Sequence, residues 1–214
     1  MRSCAHWVHS HVKPLPSTPD RDDASLEETL VEGTVAWHGN FLDVRCDRVR
    51  LPDGHETHRE YIVHPGAVMV VPIVDDLHVV MERQFRWPVR RVMLEFPAGK
   101  IDPNESPFVC GRRELREETG YRAAEWARAG ITHNAIGYST EGIEIWFARG
   151  LEAGTASLDA GEHLQVCTVA DADLEAGVRD GSITDAKTLA GLLFLQHWRA
   201  GRWPLDWVAA PASE

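Results

Sequence analysis

Gly99-Lys100-Ile101-Asp102-Pro103-Asn104-Glu105-Ser106-Pro107-Phe108-Val109-Cys110-Gly111-Arg112-Arg113-Glu114-Leu115-Arg116-Glu117-Glu118-Thr119-Gly120-Tyr121 sets four glutamates and an Arg-Glu pair between two glycines. If each required Gly, Glu or Arg falls in place with roughly 6–7% probability, the seven identities at 99, 105, 113, 114, 117, 118 and 120 coincide about once in 10^8 start positions. The pattern is therefore read as a specification. Ser106 is a good N-cap acceptor, and Pro107 suits the first helical position, where a missing N–H is harmless. Gly120 can take the left-handed conformation that ends a helix. A helix over about 107–119 follows. On it Glu114 and Glu118 lie four apart and Glu117 three from Glu114, so the three carboxylates are expected to converge on one face. Arg113, four residues before Glu117, offsets part of their repulsion, and the surplus negative charge asks for a cation. Oxygen ligands without His or Cys point to a hard ion, Mg2+ first and Mn2+ second.

The ordinary meaning of a Glu/Arg-rich run is an exposed helix with solvated charges. The preceding Glu95-Phe96-Pro97-Ala98-Gly99 argues against that here, because it leads a strand into the helix through a turn glycine.

Length and composition fit a small enzyme. The 214 residues, 43% hydrophobic and 26% charged, suffice for one good-sized core with an added subdomain. A net charge of −11 argues against a nonspecific nucleic-acid binder, so an anionic ligand must be met by a local basic patch and by metal. Cys4, Cys46, Cys110 and Cys167 form no C-x-x-C pair, which suggests free thiols in a reducing compartment. No apolar run reaches the length of a membrane span, and the first residues, interrupted by His6, His9 and His11, lack a signal-peptide core. A soluble cytoplasmic protein without membrane or nucleic-acid partners is expected.

Along the chain, residues 1–25 read as a flexible arm. Residues 26–63 read as short antiparallel strands: Leu30 to Trp37, Phe41 to Val49, a Pro52-Asp53-Gly54 turn, and Glu60 to Val63. Ala67 to Val74 suits a strand buried on both faces, with Leu77 to Arg86 as its hairpin partner and Val92 to Phe96 as another strand. After the helix come strands near 125–128, 143–149 and 166–169, and an amphipathic helix over 185–200. Two helices on a mixed sheet give an α/β sandwich over 64–200, followed by a tail, 201–214.

The stretch from Gly99 to Tyr121 resembles the Nudix box, with no departure at its defining positions. Over roughly residues 28–198 the chain is also similar to the ADP-ribose pyrophosphatase branch of the Nudix hydrolases. The pieces are Leu51-Pro52-Asp53-Gly54, Arg83-Gln84-Phe85-Arg86, Leu94 to Ile101, Gly137-Tyr138-Ser139-Thr140-Glu141 and Gly181 to Thr188. The resemblance implies a Nudix α/β/α sandwich with a mixed sheet, plus a small N-terminal antiparallel β subdomain (26–63) that serves a homodimer. It implies hydrolysis of a diphosphate bond in a small nucleotide, with metal held by Glu114, Glu117, Glu118 and the Ala98 carbonyl. Arg113 then orients the carboxylates, and Arg86 is the candidate phosphate contact. The branch draws its general base from a loop that maps to Asp159-Ala160-Gly161-Glu162, so Glu162 is expected in that role, with Asp159 as the alternative. Glu141 is expected at the base or sugar of the nucleotide, across the dimer. Trp37, with Phe41 and Tyr61, could stack on a nucleobase. One departure is that Ala135-Ile136 stands where the branch carries a proline associated with ADP-ribose preference. ADP-ribose is the first substrate reading, and GDP-mannose or another nucleoside diphosphate sugar is the alternative. A non-catalytic nucleotide sensor is the alternative of another class, but sensors typically lose box glutamates and all are present here.

Overall fold

The structure, a computed structural model, describes residues 23–211. The chain divides between Val63 and His64 into two compact units. The sequence-predicted arm lies outside the described residues except for a single 3-10 turn at Asp23–Leu26, and Cys4, His6, His9 and His11 lie outside them as well. Cys46, Cys110 and Cys167 are free thiols.

The first unit contains β1 (Thr29–Glu32), β2 (Val35–His38), β3 (Asp43–Arg50) and β4 (Glu56–Val63), all paired antiparallel. β4 follows β3 along its whole length, while β1 and β2 share the other edge of β3. The single strand expected over Leu30 to Trp37 is thus two. The break falls at Gly33-Thr34, where the Thr34 N–H donates to the Asp47 carboxylate at 2.9 Å and the Thr34 carbonyl accepts from Cys46. Asp47 is buried and takes a second bond from the Tyr61 hydroxyl at 2.7 Å. Burial alone would raise its pKa, but the Tyr61 and Thr34 donors and Arg45 outweigh it and hold the carboxyl below its ordinary 3.8.

The second unit runs β5 (Ala67–Pro72), β6 (His78–Arg86), β7 (Arg91–Glu95), β8 (Ala98–Lys100), α1 (Pro107–Thr119), β9 (Arg122–Thr132), β10 (Ile143–Glu152), β11 (Leu164–Ala170), α2 (Asp171–Asp180), α3 (Ala186–Arg199) and β12 (Val208–Ala209). β5 is buried throughout, as its unbroken apolar run predicts. Successive side chains on a strand point to opposite faces, and β5 accordingly feeds two cores. Val68 and Val70 pack with Cys110 and Leu115 of α1 and with Trp126, whereas Met69 and Val71 pack with Phe147, with Leu174 of α2 and with Leu192 and Leu195 of α3. Helices on both faces of the mixed sheet, ordered β12-β9-β10-β5-β8, make the α/β sandwich.

The expected β5–β6 hairpin does not form. Both edges of β5 are taken, by β10 in parallel and by β8 antiparallel, so the only β pairing of β6 with this segment among the described residues is one bridge between Val79 and Ile73, just past the end of β5. β6 instead centres a separate antiparallel sheet, β11-β6-β7, with Glu82 opposite Glu95 and Val166. There are three helices among the described residues rather than two. α2 escapes a periodicity argument because it buries only Leu174 and Gly177. The terminal residues through 211 are ordered structure, with β12 on the edge of β9, Trp203 stacked on His197 at 4.0 Å and Trp207 against Trp198.

Since Asp47 joins β4 to the β1–β2 break, Asp47→Asn should destabilise the first unit by about 1–2 kcal/mol at pH 7, read as roughly tenfold faster amide exchange in β3 and β4. A lowered folded pKa gives stability that is present above pH 3.8 and lost as pH falls through the folded value. The difference between variant and wild type should therefore shrink in acid, and equal exchange rates at pH 7 would refute the assignment.

Candidate active site

The turn from β8 into α1 is built as local chemistry dictates. The Ser106 hydroxyl accepts from the Val109 N–H at 3.3 Å, Pro107 occupies the first turn, and Gly120 closes the helix at φ 78°. Gly99 has a more demanding task. A Cβ at that position would fall inside the Glu114 carboxylate, so the absence of a side chain is what lets the helix lay this acid on the β8 turn. Gly120 is also a close-approach site, with the backbone of Gly154 and Ala156 where its Cβ would be. The Ser157 N–H donates to the Glu117 carbonyl at 2.9 Å. These contacts tie the segment leading to Asp159 and Glu162 to the C-terminal end of α1.

Arg113 organises the outer acids. Its fork meets Glu105 with two bonds of 2.8 Å, its Nη1 donates to Glu114 at 2.7 Å and to Glu117 at 3.2 Å, and its Nη2 reaches the Lys100 carbonyl at 3.1 Å. Planar donors fixed in this way make a rigid strut. The Glu105 bonds, working against burial, raise the Arg113 pKa, and Arg113 in turn lowers that of Glu105.

Behind this strut lies a buried acidic layer. Glu118 is almost inaccessible and accepts from the Ala98 N–H at 3.0 Å. Burial, followed by the charges of Glu82, Glu114 and Glu162, pushes its carboxyl up to about 10. Glu82 is fully buried, and burial with the charge of Glu95 pushes it up to about 8. Glu114 is raised too, by burial against the pull of Arg113. Glu95 behaves oppositely. Burial favours its neutral form, but Arg86 donates at 2.8 and 2.9 Å and Lys187 also bonds to it, so its pKa is lowered. Lys187 is further bound by Asp185 at 3.0 Å.

The expected residues are placed as follows. Glu114, Glu117 and Glu118 share the α1 face, yet they do not meet at a point. Glu114 and Glu117 turn to Arg113, and Glu118 turns to the Ala98 amide. Glu162 is half-buried where its loop enters β11, close enough to act on Glu82, Glu114 and Glu118. Its N–H bonds the Asp159 carbonyl at 3.0 Å. Arg86 is paired with Glu95. Glu141 lies 3.6 Å from His64 Nε2, and burial lowers the pKa of that imidazole against the pull of Glu141. Trp37 belongs to the first unit, with its ring exposed. Sequence reasoning gave no role to Glu82, Glu95 or Lys187. The available signal was a charged residue inside the apolar run Val79-Val80-Met81-Glu82.

Among the described residues no group of three or more His, Cys, Asp or Glu side chains is preassembled to hold an ion. The donor set nevertheless fits one. Glu82 keeps both carboxylate oxygens buried without a partner, and Glu114 and Glu118 are driven toward their neutral forms by burial and by neighbouring acids. A divalent cation among them inverts that balance, and oxygen-only donors select a hard ion.

Three comparisons bear on this site. The sequence pattern of the NUDIX domain matches residues 63–187. The chain is 33% identical to an ADP-ribose pyrophosphatase of Bacillus subtilis over 80% of its own length and 94% of that protein. It is 33% identical to a GDP-mannose pyrophosphatase of Cronobacter sakazakii over 81% and 95%. A solved crystal structure of an ADP compounds hydrolase superposes with a TM-score of 0.74 at 25% identity, covering 82% of this chain and 96% of that one.

The Gly99–Glu114 fit generates a direct expectation. Gly99→Ala should displace the Glu114 carboxylate and weaken Mn2+ binding, measured by electron paramagnetic resonance, by about tenfold or more, with the circular dichroism spectrum unchanged. Wild-type affinity in the variant would contradict the placement.

Proposed function

The chain belongs to the Nudix family, and from that premise we propose that it is a Mg2+-dependent hydrolase of nucleoside diphosphate sugars that cleaves ADP-ribose to AMP and ribose 5-phosphate. Its relatives are hydrolases of phosphoanhydrides, and it is one as well. The observation that carries the reading is the packing of half-buried Glu114 and buried Glu118 against the Ala98–Gly99 turn with more negative charge than Arg113 neutralises.

In this reading Glu114, Glu117, Glu118 and the Ala98 carbonyl hold the ion. When bound, a divalent cation neutralises diphosphate oxygens and lowers the pKa of a water. The protein does the rest. Arg113 keeps Glu105, Glu114 and Glu117 in fixed relation. Glu162, anchored through its loop to the end of α1, takes the proton of the water that attacks one phosphorus. The oxygen of that water bonds to the phosphorus, and the bridging oxygen leaves with the other phosphate ester. Arg86, already oriented by Glu95, presents its remaining N–H groups to a phosphate oxygen. The presence of every box glutamate argues against a mere sensor.

Hydrolysis of GDP-mannose is the second reading. The Cronobacter sakazakii relative and the Ala135-Ile136 departure favour it.

The nucleotide site in this reading is shared by two copies of the chain. Leu30, Val35, Trp37 and Phe41 are exposed in the first unit, apolar surface that a partner subunit would cover. Trp37 would then stack on a base and Glu141 would reach the base or sugar across the dimer. No helix among the described residues is long and apolar enough to cross a membrane.

Purified protein with Mg2+ should release phosphate esters from a panel of ADP-ribose, GDP-mannose, NADH and diadenosine polyphosphates, with ADP-ribose fastest. No product from any of them would favour the sensor. Glu118→Gln should lower turnover by more than the roughly 10- to 100-fold that supporting residues of a metal site contribute, and an active variant would remove Glu118 from the machinery. Sedimentation equilibrium should give twice the 23.9 kDa chain mass. A monomer would sink the shared site.

A further inference from the structure

The face of β6 that carries Glu82, Gln84 and Arg86 is polar where a strand in this position is expected to be apolar. Strand alternation places these three side chains on one side, and the register sets Glu82 directly opposite Glu95, so both acids face the same way. Arg86 and Lys187 satisfy Glu95. Nothing among the described residues satisfies Glu82. It is 0% exposed, and both of its oxygens, together with Oε1 of Gln84, are buried without a hydrogen-bond partner. Buried polar groups are nearly always paired, so three orphaned oxygens on one strand face call for a cause.

Charge balance points to the same cause. Glu82, Glu95, Glu114, Glu118 and Asp185 bring five carboxyl groups into or beside this layer, whereas Arg86 and Lys187 are the cations paired within it and Arg113 is shared among Glu105, Glu114 and Glu117. Acids outnumber cations, an imbalance that a bound divalent cation would relieve. Glu82 is fully buried and is also the acidic neighbour that acts most strongly on Glu118 of α1, so the two carboxyl groups lie near one another and out of solvent.

We propose that Glu82 is a further oxygen ligand for a hard divalent cation held between β6 and α1, so that the metal centre draws on the strand as well as on the box helix. This rests on the metal-dependent reading given above. It goes beyond that reading by assigning a ligand that the box does not contain. The octahedral demand of Mg2+ leaves room for such a donor, since the ion ordinarily completes its shell with water.

The test is Mn2+ binding to the full chain, followed by electron paramagnetic resonance and by the Mn2+-induced rise in Tm. Glu82→Gln keeps the shape and removes the charge. It should weaken Mn2+ affinity at least about tenfold and shrink the Tm rise, while the metal-free Tm stays at or above the wild-type value. Glu82→Met, apolar and of similar length, should raise the metal-free Tm and show the same loss of affinity, which separates a ligand from a structural acid. Wild-type affinity in both variants overturns the proposal and leaves the box-helix site intact. Absence of Mn2+ binding in the wild type overturns both.

Discussion

Like charges packed together out of water are the constraint on which the rest of the second unit depends. Glu82, Glu114 and Glu118 lie in or beside a buried layer where burial makes each costly to ionise, and the charges of Glu82 and Glu114 add to that cost at Glu118. A fold oriented toward stability alone would replace them with apolar residues of the same volume. This one surrounds them with costly supports instead: a glycine whose missing Cβ makes room for Glu114, an arginine bound to three glutamates, and a lysine buried against Glu95. In the proposed reading a bound cation is what completes this arrangement. The chemistry follows, because an ion held by carboxylates with open positions is what a diphosphate requires.

The scaffold explains why the layer can be held at all. β5 is buried on both faces and lets α1 and α3 press on it from opposite sides. The turn between β7 and β8 is therefore gripped from above by Thr188, whose hydroxyl accepts from the Phe96 N–H, and from below by the box helix through the Ala98–Glu118 bond. The loop that brings Glu162 is fixed through Ser157 and Gly154 to the end of that same helix. The proposed metal ligands and the proposed base thus share one rigid reference.

What the sequence made legible was governed by local rules. The Ser106 cap, Pro107, the left-handed Gly120 and the Arg113–Glu117 spacing are properties of neighbouring residues, and all appear as expected. The box motif also carried the family. The β5–β6 hairpin misled because a short turn favours local pairing, whereas the edges of β5 go to β8 and β10, strands far along the chain. Glu82 was invisible for a related reason. A single glutamate in an apolar strand can face solvent or core, and only the register with Glu95 decides. The convergence of the three box carboxylates was read from helix geometry alone, which omits the competing pull of Arg113 on Glu114 and Glu117.

The account turns on a cation bound between the box helix and the Ala98 turn. Anomalous diffraction from crystals grown with Mn2+ tests it most directly. We expect a peak bonded to Glu114 and Glu118 oxygens and to the Ala98 carbonyl, at roughly the 2.1 Å typical of small hard divalent ions. A map without that peak at saturating Mn2+, with Glu114 still on Arg113 and Glu118 still on the Ala98 amide, would contradict it.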